Sequence, residues 1–169
     1  GEFVGRELGE LTRRMFPLSH AREDTIIAGL SMGGYGALRN GLKYADTFGL
    51  IGALSAANIA DGIENRTDDA PRYYMTRSYA QAVFGDLDKV KDSDKDIAWL
   101  AAQRAASGKP MPKIYLACGV DDGLLEINHR LRDRLTALGY DLTWEEGPGA
   151  HEWEFWNRHI KRVVDWMYA

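Results

Sequence analysis

Cysteine is almost missing from this sequence of 169 residues, where Cys118 stands alone. A single thiol closes no internal disulfide and builds no cysteine zinc site. An excess of basic residues is missing too: 25 acidic residues outnumber 21 basic ones, a formal charge of −4. The positive footprint of a nucleic-acid binder is therefore lacking. No apolar run approaches the ~20 residues that span a bilayer. Histidine is scarce, with four in the chain, so imidazole chemistry has few candidates. Internal repeats and low-complexity tracts are absent. What is present is ordinary globular composition, 45% apolar and 27% charged, at a length that suits one domain with a buried core. Five Trp, eight Tyr and five Phe suggest a large packed core or an aromatic-lined pocket. One cysteine and slight acidity fit a cytoplasmic protein.

Apolar spacing gives the organisation. Val4, Leu8, Leu11 and Met15 recur at intervals of 4, 3 and 4, one face of a helix. Pro17 ends it, because the residue before proline avoids the α region. Residues 25–30, 49–54 and 113–118 are short continuous apolar runs, the pattern of strands buried on both faces in a parallel sheet. Residues 141–145 alternate more, with Leu142 and Trp144 on one side, which suggests a strand nearer the sheet edge. Helical spacing fills the gaps: Tyr35, Leu38 and Leu42; Leu124, Ile127, Leu131, Leu135 and Leu138, with Gly139 as the stop; and Trp153, Trp156, Ile160, Val163 and Met167. Strands alternating with helices predict an α/β architecture, a mostly parallel doubly wound sheet of about four strands. Residues 58–112 interrupt the rhythm. They read as a helical insertion between two strands, polar at first, with short helices near 79–84 and 97–106, covering the C-terminal edge of the sheet.

Gly29-Leu30-Ser31-Met32-Gly33 fits G-x-S-x-G at the junction of a buried strand and a helix. That placement is what nucleophilic chemistry needs: a sharp turn lifts the serine hydroxyl out of the sheet, and the new helix turns its N-terminus toward it. Glycine at 29 and 33 is expected to prevent collision between strand and helix. An incidental glycine-rich turn is the bland reading. A serine hydroxyl needs a base, and this motif predicts an acid and then a histidine further along the chain. His20 precedes the serine. His129 and His159 fall within predicted helices, where a solvated role is expected. His151 follows the last strand, at the edge where open α/β sheets bind ligands. Asp121 and Asp122 follow the strand at 113–118, and spacing does not choose between them; either also suits the N-cap of the next helix.

These segments carry a resemblance. Residues 29–38, Gly-Leu-Ser-Met-Gly-Gly-Tyr-Gly-Ala-Leu, resemble the nucleophile elbow of the esterase D and S-formylglutathione hydrolase-like branch of α/β hydrolases, with the tributyrin-type esterases most similar. Residues 118–128 are similar to that family's acid segment, which implies Asp122 as the acid. His151-Glu152-Trp153-Glu154-Phe155-Trp156 resembles its histidine motif, H-x-W-x-F-W, and Phe84-Gly85 its insertion. The resemblance implies an α/β-hydrolase fold and a Ser31–Asp122–His151 triad that hydrolyses short-chain acyl esters through an acyl-enzyme. The backbone N–H of Met32 would serve the oxyanion hole. No cofactor and no metal are implied, and the substrate is a small ester. A thioester hydrolase or acyltransferase of the same family is the alternative, and a non-catalytic hydrolase-fold binding module is the rival from another class.

One departure shapes the expectations. In that family the elbow lies deep in the domain, whereas here it starts at residue 29, so this sequence corresponds to the C-terminal part of the fold. The earlier strands and the loop that gives the second oxyanion donor are not among these residues. Losing one such donor costs about 2.7–4 kcal/mol, roughly 10²–10³ in rate, so the isolated chain is expected to be slow or inactive. The strand at 25–30 would be left as an apolar edge. It is expected to pair with an N-terminal segment, a second chain or a second copy of itself.

Other motifs fall short. His151-Glu152-Trp153-Glu154-Phe155 is not H-E-x-x-H. Asp92, Asp94 and Asp96 open like a calcium loop, but Ile97 and Gln103 stand where glycine and glutamate are needed; a polar loop capping the 97–106 helix is expected instead. Arg39 replaces the third glycine of a dinucleotide fingerprint after Gly34 and Gly36. Cys118 reads as a small core residue, and Trp153 and Trp156 as core, with Trp153 near enough to His151 to shape a pocket.

Overall fold

A computed structural model describes residues 1–169. Four strands form one parallel sheet in the order β1-β2-β3-β4: β1 Ile26–Leu30, β2 Leu50–Leu54, β3 Lys113–Gly119 and β4 Leu142–Gly147. The helices are α1 Leu8–Met15, continuing a π-wound turn Phe3–Glu7, then α2 Met32–Lys43, α3 Arg77–Phe84, α4 Ile97–Ala106, α5 Leu125–Ala137 and α6 Trp153–Met167. No helix is long and apolar enough to cross a membrane.

Strand alternation sorts the core into two layers. Ile51, Ala53, Ile114 and Leu116 face α2, α4 and α5, whose Leu38, Leu42, Leu100, Leu131 and Leu135 complete the larger cluster. Leu54, Tyr115 and Ala117 point the other way, against Phe155, Trp156 and Val163 of α6. The register aligns Leu30, Leu54, Ala117 and Glu145, so the loops after all four strands leave from one rim. Gly139, at φ +81°, ends α5 at the expected position.

Two expectations about the core change. The β1 run is not buried on both faces: Ala28 is exposed and its neighbours are half-buried, whereas β2 is buried throughout. The reason is topological, since β1 pairs only with β2 and is an edge. His159 is not solvated but 2% exposed, stacked on Phe155 with Nδ1 against the Phe155 carbonyl. The inward face of α6 is Phe155, Trp156, His159 and Val163, rotated from the stripe read in the sequence. Trp153 therefore leaves the core and is 66% exposed.

Residues 58–112 run between β2 and β3, with α3 and α4 as the expected short helices. Ile63, Ala80, Leu87 and Val90 make a small core there. Tyr35 donates to the Lys95 carbonyl, and Arg39 and Lys43 pair with Asp94, fastening the segment to α2. Asp96 caps α4 through the N–H groups of Ala98 and Trp99, the expected job for that acidic loop.

Candidate active site

Ser31 occupies the N-cap of α2, yet its side chain caps nothing. Its backbone is held at φ 54°, ψ −120°, a region L residues avoid and one found at functional sites. Three backbone bonds hold it there: Ser31 N–H donates to Leu54 O, and Ser31 O accepts from Tyr35 and Ala57. A Cβ on Gly29 would lie 2.2 Å from the Gly33 carbonyl oxygen, so residue 29 must be glycine. At Gly33 a Cβ would meet nothing within 4 Å, which overturns the expected collision there. The second tight position is Gly34, whose Cβ would sit 3.0 Å from Ala56 Cα. The strand-end crowding falls on the helix's inner side, and Gly33 faces out.

The freed hydroxyl meets His151. The Ser31 Oγ to His151 Nε2 distance is 2.8 Å, and His151 Nδ1 lies 2.9 Å from Asp122 Oδ2. An ionised carboxylate only accepts, so Nδ1–H donates to Asp122 and the Nε2 lone pair is left for the Ser31 hydroxyl. The Asp122 side chain is 1% exposed and that of His151 37%. Asp122 does two jobs, since its Oδ1 also accepts from Leu124 N–H at the start of α5. Asp121 stays exposed beside it. The acid and histidine loops touch backbone to backbone: Val120 and Asp121 donate to Gly147 and Gly149 carbonyls. A Cβ at Gly119 would fall 2.1 Å from Gly149 O, so only glycine lets them close. Met32 N–H is the first of α2, one of the donors with no partner in its own helix, directly beside the serine.

The other histidines lie apart. His129 is not simply solvated: it sits against Trp144, with Nε2 2.7 Å from Glu146. Cys118 is buried as expected, near Asp122, and burial together with that carboxylate pushes its thiol up to about 12.

Three residues make contacts that sequence reasoning did not foresee. Trp156 crosses the His151 ring at 89° with centroids 4.8 Å apart and donates from Nε1 to Ser55 Oγ. Asn128, wholly buried, grips both the N–H and the carbonyl of Ala56. Its position between Leu124 and Leu131 on the apolar stripe was a signal that something polar waits inside. Ser55 left no such trace at the end of an apolar run. Trp153, Trp156, Ile160 and Leu54 line a cavity of about 270 Å³ beside residues 28–30.

Residues 1–167 match the model of the family described as "Putative esterase". The chain belongs to that family. Its sequence is 47% identical over 167 residues to an acetyl esterase of Caldicellulosiruptor saccharolyticus, covering 99% of this chain and 63% of that protein. An S-formylglutathione hydrolase from Staphylococcus aureus superposes with a TM-score of 0.80 at 32% identity, covering 96% of this chain and 61% of the other. A fluorophosphonate-binding serine hydrolase of the same organism, with substrate bound, gives 0.82 at 32% identity over the same shares. A ferulic acid esterase at 23% identity and TM-score 0.71 shares the fold. This esterase-family chain thus has an α/β-hydrolase architecture and spans a little under two thirds of the length of these relatives.

Proposed function

We propose that this esterase-family chain carries the triad of a serine carboxylesterase acting on short-chain acyl esters, acetyl esters first among them. The observation that carries the proposal is the continuous relay Ser31–His151–Asp122, with bonds of 2.8 and 2.9 Å. His151 Nε2 takes the Ser31 proton as Oγ attacks the ester carbonyl. The tetrahedral oxyanion collapses, the C–O bond to the alcohol breaks, and His151 returns the proton to the leaving alkoxide. Water then attacks the acyl-enzyme with His151 as base, the acid leaves, and Ser31 regains its proton. Asp122 holds the imidazole in the required tautomer and stabilises its cation. Met32 N–H stabilises the oxyanion, helped by the positive end of α2. An acetyl esterase at 47% identity favours an ester with a small acyl group. Thioester hydrolysis is the second reading, favoured by the S-formylglutathione hydrolase neighbour.

The chain by itself is expected to turn over slowly, because the family's second oxyanion donor comes from a loop that these 169 residues do not include; one donor is worth about 10²–10³ in rate. The test is covalent labelling with a fluorophosphonate, combined with hydrolysis of p-nitrophenyl acetate. Labelling at Ser31, abolished together with turnover in Ser31→Ala, supports the assignment. Turnover that survives Ser31→Ala would remove it. Comparing acetyl, longer acyl and S-formylglutathione substrates separates ester from thioester chemistry.

A further inference from the structure

Of the residues around the relay, Trp156 has the contact that the proposed chemistry leaves unused. Hydrogen bonds at Nδ1 and Nε2 hold His151 at two ends of one line. Rotation of the imidazole about that line leaves both bond lengths nearly unchanged, so the two bonds resist it only through their directionality. The loop bearing His151 is pinned at its backbone through the Gly147 and Gly149 carbonyls, but the histidine side chain is partly open to solvent. A ring set perpendicular at 4.8 Å supplies the missing restraint.

That ring is itself locked. Trp156 Nε1 donates to Ser55 Oγ at 3.0 Å, and Ser55 is fully buried. Ser55 takes φ +47°, a conformation uncommon for any residue but glycine. Its N–H is tied to Ala117 O at 2.7 Å. Core packing alone would be met by an aromatic ring without a donor and would need no serine beneath it. The neighbouring backbone completes the frame: Ala56 is gripped by Asn128 of α5, and Ala57 N–H donates to Ser31 O. The segment 55–57 bears none of the relay's side chains, yet it touches the nucleophile's backbone, the helix after the acid and the ring beside the base.

We infer that Trp156 is a positioning residue for His151, set by its hydrogen bond to Ser55, so that the imidazole plane is fixed before substrate arrives. This rests on Ser31 and His151 working as proposed above. The variants are Trp156→Leu, which removes the ring; Trp156→Phe, which keeps a ring without the donor; Ser55→Gly, which suits the positive φ and removes the acceptor; and the Ser55→Gly/Trp156→Phe pair. The readout is fluorophosphonate inactivation of the 169-residue chain, resolved into the maximal rate and the concentration for half-saturation, across pH.

The expected result is a fall of between about ten- and a hundredfold in the maximal rate for Trp156→Leu, a misalignment-sized loss, with half-saturation unchanged. Trp156→Phe and Ser55→Gly each lose less and by similar amounts, and the double variant is no worse than either. A full maximal rate in folded Trp156→Leu overturns the inference. So does a loss confined to half-saturation, or additive losses in the double variant. If Trp156→Leu does not fold, the two milder variants and their pairing decide by the same criteria. Failure of the wild-type chain to label at Ser31 strikes at the esterase assignment itself, whereas a labelled wild type with indifferent variants strikes only at Trp156.

Discussion

β1 and β3 deliver the two outermost members of the Ser31–His151–Asp122 relay under opposite circumstances. β3 has a neighbour on each side and is buried from Ile114 to Gly119. Asp122 leaves it through a turn bonded to the loop after β4. β1 has one neighbour, and α1, tied to its entry by Arg13 to Thr25, keeps no buried residue. The serine that β1 presents is nevertheless in a strained, fully specified conformation. The difference teaches that, among these residues, the Ser31 backbone is held at the rim, by Leu54, Ala57 and the brace behind them, while β1 is packed on one flank only.

The sharpest way to break the comparison is to cut that brace. Asn128→Ala leaves the N–H of Ala56 buried and unpaired, with its carbonyl still accepting from Asn58 N–H, a cost of about 1–3 kcal/mol for the orphaned group. Urea unfolding reads the stability, and fluorophosphonate labelling of Ser31 is expected to slow in the same variant. If labelling holds while stability falls, the rim does not set the nucleophile.

A smaller effect sharpens the β3 side. The Cys118 thiol is held above its ordinary value of 9.0 by burial and by Asp122. The unfolded chain therefore releases that proton first as pH rises, and the native state binds more protons, so stability falls with pH above 9. Between pH 9 and 10, ahead of the raised tyrosines Tyr35 and Tyr140, Cys118→Ala is expected to flatten that slope in denaturant titrations. Iodoacetamide should spare the native thiol at pH 8.

The smallest effect belongs to the open side. Leu11 lies with Val4, Leu8 and Met15 among the exposed apolar residues of 3–15. Leu11→Lys is expected to change stability by less than about 0.5 kcal/mol while reducing association at high concentration, read by sedimentation velocity. A large loss of stability would show that this face is packed after all.

Much of this was legible in residue order. Strand and helix placement follows from short apolar runs against 3.6-residue spacing, because burial of a strand or of one helix face leaves that periodicity in the chain. The elbow motif and the order of serine, acid and histidine located the candidate residues. Periodicity did not give the rotation of α6, because two overlapping stripes in Trp153–Met167 share Trp156 and Val163, and only the burial of Phe155 and His159 tells them apart. Nor did it show that Gly34, and not Gly33, lies against Ala56, since both follow the serine and only the approach of the β2 turn tells them apart.

The amino-acid order by itself determined the elements, their parallel arrangement and the chemistry available at one rim, since these depend on local sterics and on which side chains avoid water. Tertiary structure brings to His151 the Asp122 that the resemblance implied and spacing left open against Asp121, and it alone decided that Asn128 is a buried clamp and that Ser55 lies under an indole. Each of those depends on contacts between residues from 29 to 101 positions apart, and distances of that kind are fixed only when the sheet brings separate loops together.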